Sequence, residues 1–201
     1  MSEQLRIEQD SMGLVEVPVE ALWGAQTQRS LLNFSISQDR IPMELIYALA
    51  RIKIAAATVN CRLKVLDHKK QDLIKKAARE IEKGLHDDQF PLRVWQTGSG
   101  TQTNMNMNEV ISNLASRASG NPLGSHKPVH PNDDVNRSQS TNDTFPAAIQ
   151  IAAIEGVTKK LLPELAKLID AFAKKSKEWN PIVKIGRTHL QDAVPITLGQ
   201  E

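Results

Sequence analysis

Apolar residues recur at helical spacing over four stretches of this chain. From Pro42, a residue suited to a first helical turn, Leu45, Leu49, Ile52, Ala56, Val59 and Leu63 follow at spacings of 4, 3, 4, 3 and 4. That predicts an amphipathic helix. A second helix is expected from about Asp67 to Lys83, stopped by Gly84. A third opens near Thr101 and carries Met105, Val110, Ile111 and Leu114 to about Ser119. The longest pattern begins near Asp143. There Ile151, Ile154, Val157, Leu161, Leu165, Leu168 and Phe172 stand 3, 3, 4, 4, 3 and 4 residues apart. Such a stripe suits a long helix packing along its length in a bundle, with Pro163 expected to kink or restart it.

Between these runs the periodicity breaks. Residues 1 to about 40 mix short apolar groups with Gly13, Pro18, Gly24 and Ser30, which predicts a loop-rich arm with a short hairpin. The stretch 85–100 reads as loop around Pro91, Gly98 and Gly100, and residues 120–142 are the least regular of all. A long irregular connection is more often functional than idle. Thr197 and Gln200 have capping-box spacing, placing the start of another helix at the last residues. A lone first turn is unstable, so the chain reads as the N-terminal part of a longer protein.

Composition narrows the function. Apolar residues are 40% and charged residues 24% of 201, and 25 basic against 23 acidic side chains leave +2. This is a globular balance without a basic stripe, and aromatics at 4% offer few rings for bases to stack on, so nucleic acid is not the expected partner. The single Cys61 excludes an internal disulfide framework and any thiolate cluster. The histidines (His68, His86, His126, His130 and His189) are not read as a helical metal site. The polar, acidic opening MSEQLRIEQD has no apolar signal core, and no apolar run approaches the ~18 residues of a membrane span. The expectation is a cytoplasmic protein with no membrane partner.

Three polar segments carry the candidate chemistry. Thr97-Gly98-Ser99-Gly100-Thr101-Gln102-Thr103-Asn104 lies just ahead of a predicted helix. Its glycines allow close backbone approach, its hydroxyls add donors, and the helix N-terminus adds unpaired N–H groups, together a seat for a carboxylate or phosphate. Ser138-Gln139-Ser140-Thr141-Asn142-Asp143 repeats the arrangement before another helix. In Gly186-Arg187-Thr188-His189-Leu190-Gln191-Asp192, a histidine in a loop is a candidate general acid–base group. Hydroxyls, amides and one imidazole, without a nucleotide fingerprint, suit proton transfer on a small polyanion.

With these three segments, Leu22-Trp23-Gly24-Ala25-Gln26-Thr27-Gln28-Arg29-Ser30, Trp95-Gln96, Asn104-Met105-Asn106-Met107-Asn108-Glu109 and Val129-His130-Pro131-Asn132-Asp133-Asp134-Val135-Asn136 complete a pattern covering essentially the whole chain. It resembles the class II fumarases of the fumarase/aspartase superfamily. The resemblance implies a mainly α fold, with a loop-rich N-terminal domain over 1–140 and the first part of a long central helical bundle over 141–201. It implies reversible hydration of fumarate to (S)-malate, as in the tricarboxylic acid cycle, without metal or other cofactor. The expected assembly is a homotetramer whose active sites are shared between subunits. Carried over by position, Ser99, Gly100, Thr101, Ser140, Thr141, Asn142 and Thr188 would hold the substrate carboxylates, and His189 would be the acid–base group, working through a bound water. Lys127, His130, Pro131, Asn132 and Asp133 fall on the family's second dicarboxylate site. Thr141 stands where the family often has Ser, and keeps the hydroxyl. The family's Gly-Ser-Ser loop, with its proposed serine base, lies beyond residue 201. Aspartases have Gln where His189 stands, which favours the hydratase over ammonia release. A catalytically incomplete assembly fragment is the reading from another class.

Overall fold

The computed structural model of the protein describes residues 4–201, and the chain divides into two units, residues 1–152 and 153–201. The first unit opens with an antiparallel hairpin of β1 (Leu5–Asp10) and β2 (Gly13–Pro18), in register from Leu5 opposite Pro18 to Asp10 opposite Gly13. Helix α1 (Ala25–Asn33) follows, then α2 (Met43–Arg62), α3 (His68–Glu82) and α4 (Thr101–Ala118). Helix α5 (Thr141–Gly156) begins in the first unit and crosses the boundary.

The three helices read from periodicity are all present, within a residue or two of their expected ends. Asp67 caps α3, its Oδ1 accepting from the N–H groups of Lys69 at 2.8 Å and Lys70 at 3.3 Å. Gly84, at φ +74°, takes the left-handed conformation just past the end. Helix α4 is the axis of the core. Met107, Val110, Ile111 and Leu114 pack with Ile46, Leu49 and Ala50 of α2 and with Ile74, Ala78 and Ile81 of α3.

Two details depart from the periodic reading. The buried face of α2 is Ile46, Leu49, Ala50, Lys53, Ala57 and Asn60, while Val59 and Leu63 are 50% and 66% exposed. Small alanines and two polar residues line the inside, and the bulky Val59 and Leu63 of the expected stripe face outward. Helix α1 was not expected, because it has neither an apolar stripe nor a capping side chain of its own. Its cap comes from α4: the Glu109 carboxylate accepts from Gly24 N at 2.9 Å, Gln26 N at 2.8 Å and Thr27 N at 3.1 Å. Glu8 takes Ala25 N at 3.1 Å. Gly24 is required there, since a Cβ would stand 2.8 Å from Glu8 Oε2 and 3.0 Å from Glu109 Cδ.

The second unit holds the end of α5, a π-helical turn Val157–Leu161, helix α6 (Leu162–Trp179) and an antiparallel hairpin of β3 (Val183–Thr188) and β4 (Gln191–Thr197). Pro163 stands in the first turn of α6, so the helix restarts there as expected. The long apolar stripe is on these helices but is uncovered in this chain: Ile154, Leu161, Leu165, Leu168 and Phe172 are all exposed. The expected C-terminal helix is replaced by a turn. Its capping-box bond forms, Gln200 Oε1 accepting from Thr197 N at 2.8 Å, but Thr197 is the last residue of β4. Among the described residues, no helix is long and apolar enough to cross a membrane.

Candidate active site

In the first unit, two of the predicted polar segments meet at the N-termini of α4 and α5. Gly100 precedes α4 with φ +73° and no side chain caps the helix, leaving its first N–H groups available to an anion. Glycine is obligatory at this position on two grounds. Its φ is left-handed, and a Cβ would collide with the Phe145 ring of α5. Around this turn the hydroxyls cluster on the surface. Ser99 Oγ lies 2.9 Å from Thr101 Oγ1, Thr97 Oγ1 donates to Gln102 Oε1, and Ser99 and Thr101 are both exposed.

At α5, Ser140 plays the capping part: its Oγ accepts from Asn142 N at 3.3 Å, and its carbonyl accepts from Thr144 N at 3.0 Å. Thr141 is half-buried and Asn142 exposed. Asn104 ties the two helix starts together, its Nδ2 donating to Thr141 Oγ1 at 2.9 Å and to Asn136 Oδ1 at 3.0 Å. Two helix N-termini, each equivalent to roughly half a positive charge, are thus held side by side with hydroxyl and amide groups between them. That arrangement suits a carboxylate.

The residues behind this site escaped the sequence reading. Lys53 is 0% exposed, and its Nζ donates to Asn136 Oδ1 at 3.0 Å and Gln139 Oε1 at 3.1 Å. Burial pulls its ammonium down to about 7. A signal existed in the sequence: Lys53 lies in register with Ala50, Ala57 and Asn60 on one helical face, which a bulky-residue count passes over.

The second group of candidates surrounds a five-residue π-helical turn, Pro131–Val135. His130 caps it, with Nδ1 accepting from Asn132 N at 3.3 Å and Asp133 N at 3.1 Å. Asp134, buried, accepts from His130 N at 2.8 Å and from Lys70 Nζ at 2.8 Å. His126, four residues before His130 but outside any helix, sets its ring edge-on to that of His130 at 5.0 Å. Burial, and then the neighbouring His130, lower its basicity, with Glu8 acting the other way. Lys127, Asn132 and Asp133 are exposed, and Pro131 is buried.

Thr188 and His189 belong to the other unit. The loop expected there is the tip of the β3–β4 hairpin: Thr188 pairs with Gln191, leaving His189 and Leu190 as a two-residue turn. Their φ values, 51° and 64°, are the signature of a type I′ connection. Both are exposed, and Thr188 Oγ1 lies 3.1 Å from His189 Nδ1.

Residues 13–201 match the lyase family. The chain is 72% identical over all its 201 residues to a class II fumarate hydratase of Prochlorococcus marinus strain MIT 9313, spanning 43% of that protein. It is 58% identical over 196 residues to the class II fumarate hydratase of Yersinia pestis, spanning 42% of it. Among solved structures, a class II fumarase from Schistosoma mansoni superposes with a TM-score of 0.93 at 48% identity, over 98% of this chain and 42% of that one. A fumarate lyase:delta crystallin from Brucella melitensis gives 0.94 at 46% identity, over 98% of this chain and 46% of that one.

Proposed function

This chain belongs to the lyase family, and on that premise we propose that it supplies the N-terminal part of a fumarate hydratase acting reversibly on fumarate and (S)-malate. The observation that carries the reading is the meeting of two helix N-termini with Ser99, Gly100 and Thr101 on one and Ser140, Thr141 and Asn142 on the other. The donors these two helix starts offer are hydroxyls, amides and backbone N–H groups. Neutral donors serve this chemistry well. A proton leaving the carbon beside a carboxylate builds charge onto that carboxylate, and preoriented donors lower the barrier. Several cations would instead over-bind the dianionic ground state.

In the hydration direction, His189 accepts a proton from water as the hydroxyl adds to one alkene carbon, while the neighbouring carbon gains a proton from a second group. Thr188, beside the imidazole, would join the carboxylate donors. The second group is assigned to the serine loop, which has no match in these 201 residues. Lys127, His130, Pro131, Asn132 and Asp133 form a second dicarboxylate site outside the reaction centre. The uncovered stripe on α5 and α6 supports assembly into a homotetramer with sites shared between subunits, and the reading places the enzyme in the cytoplasm, in the tricarboxylic acid cycle.

The test is fumarate consumption, followed by its ultraviolet absorbance, in the full-length protein carrying this sequence. His189→Asn is expected to lower turnover by ~10²–10⁴, the span of a positioned acid–base group. Near-normal turnover would remove His189 from the mechanism, and ammonia release from aspartate in place of malate dehydration would overturn the hydratase reading.

A further inference from the structure

The hydrogen bonds behind Thr141 have a fixed direction. Gln139 Nε2 donates to the carbonyls of Val135 at 2.9 Å and Arg137 at 3.1 Å, so its Oε1 is turned towards Lys53. Asn136 Nδ2 donates to the Gln139 carbonyl at 3.2 Å, so its Oδ1 faces both Lys53 and Asn104. Backbone carbonyls can only accept, and they therefore set both amides. Two oxygens then face the Lys53 amine, which donates to each. Asn104 must present its NH2 group to Asn136, and its second hydrogen reaches Thr141 Oγ1. Turning the Asn104 amide over would set oxygen against oxygen at Asn136. Its own Oδ1 is left buried without a partner among the described residues.

The end of this chain is a hydroxyl whose donor is still unspent. Thr141 Oγ1 has one hydrogen and accepts from Asn104, and among the described residues its O–H has no acceptor. Resting on the fumarate reading above, we propose that Lys53 and Asn104 are positioning residues that commit the Thr141 hydroxyl to donate to a substrate carboxylate. A hydroxyl free to rotate would accept from water as readily as donate, and would lose its orientation in the empty site. One held from behind by a buried amide is preoriented before the anion arrives, the condition under which such a donor is most effective.

The experiment is a double-mutant cycle in the full-length protein carrying this sequence, reading kcat/KM for fumarate. Thr141→Val is expected to lower it ~10²-fold, as for loss of one preoriented donor, and Thr141→Ser to restore most of it. Asn104→Leu and Lys53→Met, which carry no donor to pass on, are each expected to lower it ~10-fold in the parent and less than ~2-fold when Thr141 is already Val. A merely structural role predicts losses that multiply in both backgrounds, and that result overturns the positioning while leaving the substrate reading intact. If Thr141→Val turns over fumarate normally, Thr141 does not hold the substrate and the proposal falls with that part of the reading. Absence of fumarate turnover in the parent overturns both. The two rear variants enter the cycle independently, so a folding failure in one, seen by circular dichroism, leaves the other to decide.

Discussion

Lys53 and His130 show how far a side chain's chemistry depends on what surrounds it. Burial brings Lys53 from 10.5 to about 7. Between these values the unfolded chain holds a proton that the folded chain lacks, so this residue's contribution to stability rises with pH across that window. It is smallest below pH 7, where both states are protonated. The urea midpoint of the parent minus that of Lys53→Met is expected to grow between about pH 7 and about pH 10, by a few kcal/mol in stability at most. A difference independent of pH would show that the buried amine stays charged. His130 differs because its ring is a cap. Asparagine also caps well, so His130→Asn should hold the Pro131–Val135 turn, weaken a dicarboxylate at the second site and leave turnover mostly intact. A collapse of turnover would mean that the two sites are assigned the wrong way round.

At the level of elements, α1 depends on a partner far away in sequence. Glu109 is buried and supplies the cap that Gly24 cannot, reaching across 85 positions to do so. Burial pushes its carboxyl up, against the pull of the Thr27, Gly24 and Gln26 donors. Glu109→Ala leaves three backbone N–H groups without acceptors and is expected to cost ~2–4 kcal/mol in urea denaturation; a change within ~0.5 kcal/mol would show that water replaces the carboxylate. Gly100→Ala is expected to displace Phe145 and loosen both helix starts. These cases also mark what the sequence can reveal. Helices α2, α3 and α4 were legible because each carries its own stripe, cap or stop, such as Asp67 and Gly84. The polar segments at the starts of α4 and α5 were legible because Gly, Ser, Thr and Asn cluster at helix starts. Helix α1 was not, because its cap lies on α4. The rear lysine was hidden because its partners, Asn136 and Gln139, come from a loop whose path no periodicity describes. The hairpin that carries His189 was not legible, since Thr-His-Leu-Gln lacks the Asn-Gly signal of a tight hairpin.

For the molecule as a whole, the uncovered stripe of α5 and α6 governs behaviour in solution. Ile154, Leu161, Leu165, Leu168 and Phe172 form an apolar face longer than a single exposed residue would explain. Residues 1–201 alone are expected to self-associate, seen as a mass above 22.3 kDa in sedimentation. They are also expected to show no fumarate hydration, because acid–base groups that act as a unit lose most of the rate when one is missing. Mixing with the remaining portion of the protein should restore turnover. Robust hydration by residues 1–201 alone, free of host enzyme, would show that the chemistry needs no second segment.

On the proposed reading of His189 as the acid–base group, the two-residue turn at His189 and Leu190 sets folding against catalysis at a single position. Both residues sit in the left-handed region, which a branched leucine tolerates poorly and asparagine or glycine readily. A sequence chosen only to close this hairpin would carry Asn-Gly here. The substitution that removes the imidazole, His189→Asn, should therefore leave a better hairpin behind, with a higher melting temperature than the parent's. Stabilised variants selected without regard to activity are expected to drift towards that change, so a thermostability screen on this protein needs an activity filter at this turn above all others.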